Sequence, residues 1–451
     1  MKVISLKNIY LFLLTILVSC SAGLHAQDGF RFLNQKKKHQ RFSFKLINNV
    51  IVVPVTINGK SLSFILDSGV SKTILFNISQ NDSIGLNNVR KVQLRGLGLG
   101  DSVDALISKN NRVGVKKIIS DNEVIYVILT DYFDLSSKMG TTIHGIIGYN
   151  ILRNFVVKIN YNSKKIDFYN PKMYTYKKCR KCETFDIQFH RKKPYINAKI
   201  QMDTVGTKLT DVKLLVDSGG SDALWLFEDS KENIKTPIRY FPDILGEGLS
   251  GHIYGNRSRI PKVKLKSFEL VEPTVSFLDS ISTKNARTFK DRSGSIGGGV
   301  LNRFIVWFDY PNQKITLKKN SSLKKSFNYN MSGLEVVYGG KQLIKEKDIK
   351  GFTDAYNQEL SANNSVSFIT NFSYKFKASF KINNVVKGST ADKAGLLKDD
   401  VIVSINSKPA YEYKLGEIVQ KFRTKDKAKI KMTIERNGIK MKFEFRLEKK
   451  I

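Results

Sequence analysis

One stretch constrains this chain more than any other: Phe64-Ile65-Leu66-Asp67-Ser68-Gly69-Val70-Ser71, which returns as Leu214-Leu215-Val216-Asp217-Ser218-Gly219-Gly220-Ser221. At average residue usage a D-[ST]-G tripeptide is expected only about 0.2 times in a chain of this length. Both copies end an apolar, strand-like run and continue through a small residue and a Ser into a second apolar stretch. The two Asp lie 150 positions apart (217 − 67), and the offset persists downstream at 149. There Ile146-Ile147-Gly148 answers Ser295-Ile296-Gly297, Phe155 answers Phe304, and Tyr161 answers Tyr310. An internal duplication is therefore the first reading. Asp, Ser and Gly also dominate turns, so one copy alone is evenly balanced between turn and site. Two copies with matched downstream motifs tip that balance to a site.

In chain order, residues 50–57 and 62–66 are apolar runs flanking Asn58-Gly59, the strongest short hairpin signal, so the second strand delivers Asp67 at its end. Gly96, Gly98 and Gly100 follow from 29 residues past Asp67, and Gly246, Gly248 and Gly251 from 29 past Asp217. Glycines at one place in both copies suit a mobile hairpin over a substrate; a plain surface turn is the alternative. The second run also spells G-x-G-x-x-G. Pro242 and Asp243 just before it, and no helical pattern after it, argue against a dinucleotide site. Residues 155–169 and 304–317 read as matching strand pairs that close each copy.

At these residues the chain resembles the pepsin-like and retropepsin-like aspartic proteases, whose signature is D-[ST]-G-[AGS]-[ST] on a strand, followed most of a lobe later by two apolar residues and a Gly. The resemblance covers roughly residues 40 to 318, with Ser in both copies where the family most often has Thr. It implies a mainly β fold of two pseudo-symmetric acid-protease barrel lobes, 40–175 and 183–319. Asp67 and Asp217 would meet at the pseudo-twofold axis as catalytic pair. Ser68 and Ser218 would brace their loops, Gly69 and Gly219 would let backbone approach the carboxylates, Ser71 and Ser221 would complete the loops, and the glycine runs would form flaps. Amide hydrolysis without a nucleophilic side chain needs an activated water and a proton donor. Two close carboxylates supply both, because like charges that close share one proton. No metal or cofactor is called for.

From about residue 329 the composition changes. Residues 380–406, with their G-S-x-A, A-G-L, D-x-I and I-N pattern, resemble a PDZ domain, here 329–451. The residues agree with that: Ser389 or Thr390 can cap a short helix ended by Gly395, and 430–445 alternates around Asn437-Gly438 as a long hairpin. The resemblance places Gly333, Leu334, Glu335 and Val336 in the carboxylate-binding loop and its strand, facing Leu415, Val419 and Phe422 on a helix, as a groove for protein C-termini. A polar tract over 341–377 reads as an inserted loop able to cover that groove.

The formal charge is +35, but the 75 Lys and Arg are scattered along the chain, which reads as a solvated basic surface and not a nucleic-acid site. Lys2 and Lys7 precede an apolar run at 9–18, the size of a secretory leader. Two processing readings stay open: lipidation of Cys20 in Leu17-Val18-Ser19-Cys20, giving a lipid anchor, or cleavage after Ala26. Either exports the protein to a periplasm, an outer membrane or the medium. In an oxidising compartment Cys179 and Cys182 read as a local disulfide. The five His make no H-E-x-x-H, and no Ser sits in a G-x-S-x-G. Two functions follow: an exported aspartic endopeptidase whose PDZ domain recruits or positions C-termini, or a non-catalytic peptide-binding protein built from the same parts.

Overall fold

The computed structural model describes residues 29–78, 84–94, 102–129, 134–248, 251–284, 286–352 and 367–451. The leader with Cys20, the run Gly96, Gly98 and Gly100, and the middle of the 341–377 tract lie outside the described residues. Among those residues the chain is mainly β and forms four sheets.

The first sheet is built on the hairpin Val50–Ile57 with Lys60–Leu66, turning through Asn58 (φ 47°) and Gly59 (φ 92°). Gly145–Ile147 runs parallel to the end of the second strand and antiparallel to Thr73–Leu75. The second sheet repeats this plan: Lys193–Gln201 pairs with Thr210–Val216, and Arg292–Ile296 lies parallel to the latter and antiparallel to Leu224–Phe227. Both copies thus insert the apolar-apolar-Gly strand between the strand that precedes Asp and the one that follows it.

A third sheet joins the copies, in the order Cys182–Asp186, Lys314–Lys319, Phe304–Asp309, Val156–Asn160, Lys165–Tyr169, His39–Ser43. Its central pair is a strand against its own duplicate. Lys158 lies opposite Trp307, and these are equivalent positions at the 149 offset, so the pseudo-twofold axis passes between them. Val157, Ile159, Val306, Phe308, Ile315 and Leu317 are all buried on this sheet, within one apolar core that runs through both lobes. Each such side chain contributes about 1.5–3 kcal/mol by leaving water. Cys179 and Cys182 are joined by a disulfide at the start of the sheet's outer strand.

The fourth sheet is that of the PDZ domain, with Leu334–Phe352 at its edge beside Ser367–Val385. The loop expected over 341–377 is corrected here: Lys341 to Phe352 pairs with Ala378 back to Ser367 as a long antiparallel ribbon. Polarity misled because this ribbon covers no core with its apolar residues: Leu343, Tyr374 and Phe376, side by side on one face, are all more than half exposed. Ser389 accepts a hydrogen bond from Asp392 N–H at 3.2 Å to cap the helix Thr390–Lys393, and Gly395 (φ 91°) follows its end.

Candidate active site

Asp67 and Asp217 follow directly on the strands Lys60–Leu66 and Thr210–Val216. Each is pinned by the neighbouring parallel strand: Asp67 N–H donates to Ile147 O and Asp217 N–H to Ile296 O, both at 2.9 Å. The glycines that end those strands are sterically required. A Cβ on Gly148 would stand 2.0 Å from Asp67 O, and one on Gly297 would stand 2.4 Å from Asp222 O.

The two Asp loops are locked to each other by a reciprocal set of bonds. Ser68 N–H donates to Ser218 Oγ and Ser218 N–H to Ser68 Oγ, both at 3.0 Å. The hydroxyls then donate across the interface, Ser68 Oγ to Val216 O at 2.7 Å and Ser218 Oγ to Leu66 O at 2.8 Å. Both serines are fully enclosed, so every one of these groups would be an unsatisfied buried polar atom without its partner.

This brace brings the carboxylates together. Gly69 N–H donates to Asp67 Oδ1 at 2.6 Å, and the N–H groups of Gly219 and Gly220 donate to Asp217 Oδ1 at 3.0 Å. Each loop glycine lies against the other copy's carboxylate: a Cβ on Gly219 would fall 2.3 Å from Asp67 Cγ, and one on Gly69 would fall 3.1 Å from Asp217 Cγ. Burial pushes the Asp67 carboxyl well above the usual carboxylate range, and the charge of Asp217 and a hydrogen bond to it push the same way. Ser71 and Ser221 line the same cavity, and Ser221 O accepts from Asn49 Nδ2 of the first copy at 2.9 Å.

The carboxylates open on a cavity of about 1220 Å³. The hairpin Phe241–Gly248 with Gly251–Arg259 supplies part of its wall through Gly246, Gly248 and Ile253, while Gly251 (φ 101°) lies at the turn end. The base of this hairpin is fixed by Arg257, which donates to Asp222 at 3.1 Å and Asp243 at 2.8 Å; Trp225 Nε1 and Ser276 Oγ also donate to Asp222, each at 2.8 Å. Burial opposes ionisation of Asp222, yet Arg257 and the two neutral donors hold it below the usual range.

The same cavity continues into the PDZ domain, where Gly333 (φ 80°), Leu334, Glu335 and Val336 line it together with Val419. Two expected groove residues are corrected: Leu415 and Phe422 are core side chains, 4% and 0% exposed, and the helix Leu415–Lys421 turns Val419, Gln420 and the following Arg423 to the cavity instead. A helical face of four apolar residues packs first against its own sheet. The groove is also abutted by the helix Leu135–Met139 of the first lobe. Lys138 pairs with Glu335 at 3.6 Å, and a Cβ on Gly140 would meet Leu415 Cβ at 2.9 Å.

Sequence reasoning missed Lys193, Arg292 and the Asp222–Arg257–Asp243 network. Asp222 stands five residues past Asp217, Asp243 three before the second glycine run and Arg292 three before Ser295-Ile296-Gly297, but none of them carries a pattern of its own. Among the described residues no group of three or more His, Cys, Asp or Glu is placed to hold a metal ion.

Fold and site together define an aspartyl protease-like domain followed by a PDZ domain. The aspartyl protease family matches residues 53–151, which is the first copy, and the PDZ domain family matches residues 381–436. Curated relatives include probable CtpA-like serine proteases of Staphylococcus aureus strains COL and MSSA476, each 25% identical over 169 residues, or 32% of this chain and 33% of theirs. This chain therefore matches about a third of the length of those relatives. Among solved structures, the aspartic proteinase from Irpex lacteus aligns over 64% of this chain and 100% of that one, at 13% identity and a TM-score of 0.42.

Proposed function

We propose that the protein is an exported aspartic-type endopeptidase. The observation that carries this is the pairing of Asp67 and Asp217 at the floor of one cavity, held face to face by reciprocal serine bonds. One carboxylate takes a proton from water while the other, protonated, gives one to the substrate carbonyl oxygen. The roles exchange as the tetrahedral intermediate collapses and the amine leaves. A binding-only groove has no use for two carboxylates that repel. The PDZ groove, opening into the same cavity, would position a substrate C-terminus. Export would use the leader, with or without a lipid on Cys20.

The serine-protease name belongs to relatives matched over a third of their length, and it supplies the competing catalytic type. Cleavage of a quenched peptide library decides. Asp67→Asn and Asp217→Asn should each lower kcat at least about 10³-fold while leaving the fold intact, and the double variant should be no worse than either. Pepstatin should compete, and a serine-directed fluorophosphonate should not. Near-normal turnover in either single variant would remove the dyad from the mechanism.

A further inference from the structure

The two copies differ beside the dyad. In the hairpin Val50–Ile57 with Lys60–Leu66, the register that sets Val52 opposite Ile65 sets Val50 opposite Asp67. In the second copy, Tyr195 opposite Leu215 sets Lys193 opposite Asp217. An apolar residue in one lobe is thus a lysine in the other. The strand inserted beside them differs too: Arg292 stands opposite Lys213, whose first-copy counterpart Ser63 bonds to His144, so the arginine has no equivalent in the first lobe.

Lys193 and Arg292 both line the catalytic cavity. Arg292 is 4% exposed and fixed, its Nε donating to Gly294 O at 3.2 Å and its guanidinium lying 4.8 Å over the Phe227 ring. Lys193 is mostly enclosed, and among the described residues its ammonium has no hydrogen bond and no ion pair. Burial and then the like charge of Arg292 press it toward neutrality, and the two carboxylates oppose that. A dyad sharing one proton carries a single negative charge. Two enclosed cations stand beside that charge, and among the described residues neither has a carboxylate bonded to it, an arrangement a closed site tolerates poorly.

We propose that Lys193, backed by Arg292, forms a subsite beside Asp217 for a carboxylate of the peptide substrate. This deepens the endopeptidase reading and rests on it. The carboxylate comes from an acidic side chain near the scissile bond or from a free C-terminus, and the charge it supplies completes the site. The counterpart wall beside Asp67, with Val50, takes an apolar neighbour.

Amidated quenched peptides carrying Glu or Gln at each position around the scissile bond test the first source, and acid against amide termini tests the second. The wild type should favour the carboxylate about tenfold in kcat/KM, the scale of one charged hydrogen bond. Lys193→Met should bring that ratio to within about twofold, and Lys193→Glu should turn it into a preference for Lys over Gln. Wild-type indifference in both peptide sets, or an undiminished ratio in Lys193→Met, would overturn the proposal. If the wild type cuts none of the peptides, the endopeptidase reading fails on its own, and binding still decides the subsite. Fluorescence anisotropy with Asp67→Asn should then give a Kd about tenfold lower for Glu than for Gln peptides, and equal values would overturn it.

Discussion

The carboxyl of Asp67 shows how one residue ties the proposed chemistry to stability. Burial first, and Asp217 second, raise its pKa in the folded protein. An acid shifted upward keeps a proton that the unfolded chain has already lost, so between the two pKa values the folded state binds more protons and stability falls as pH rises. The contribution is fully favourable below the unfolded value of about 3.9 and is lost by the time pH passes the folded one, each unit of elevation being about 1.4 kcal/mol. Asp67→Asn cannot ionise and escapes this loss while keeping an oxygen for the Gly69 N–H. Its Tm should match the wild type near pH 3 to 4 and exceed it at pH 7 in thermal scans. Parallel pH dependences in the two proteins would contradict the assignment.

At the level of strands, the glycine that ends Gly145–Ile147 holds the Asp67 loop in place. A methyl group on it would need space already taken by Asp67 O at 2.0 Å, and backbone, unlike a flexible side chain, cannot swing aside. Gly148→Ala should cost about 1–3 kcal/mol in denaturant unfolding and lower kcat about 100-fold by displacing the carboxylate roughly 1 Å. Gly59→Ala is the contrast: nothing lies within 4 Å of its Cβ position, so only its positive φ is strained and activity should be unchanged. These strands were legible because their signals are local: Asn58-Gly59 fixes a register, and a repeated tripeptide marks both loops. Lys193 was hidden by an irregular spacing. The turn between Ile200 and Thr210 holds nine residues where the first copy has two, so the offset falls from 150 to 143 (193 − 50) and the two positions no longer align by counting. The 341–377 ribbon and the inward turn of Phe422 were misread for one reason: only the packed sheet decides which face of an element meets the core.

Across the whole molecule, the PDZ groove, the first lobe's helix and the carboxylates border a single cavity, so access to one depends on the others. The Lys138–Glu335 pair at 3.6 Å links helix and groove, and as a partly exposed pair it is worth about 1 kcal/mol. Glu335→Lys replaces that attraction with repulsion. Cleavage of long protein substrates should rise two- to fivefold while short peptides are unaffected, measured side by side at low salt; equal changes for both would place the pair outside substrate entry. The central sheet carries a different consequence. Because a strand there pairs with its own duplicate, and because Asp67 waits for a partner 150 residues later, the proposed chemistry cannot exist on a half-made chain. At ordinary rates of about 5–20 residues per second, roughly 8–30 seconds separate the emergence of the two carboxylates. On that proposal the growing polypeptide is chemically harmless to the ribosome through the interval, and it gains its hydrolytic chemistry only when the two Asp loops meet.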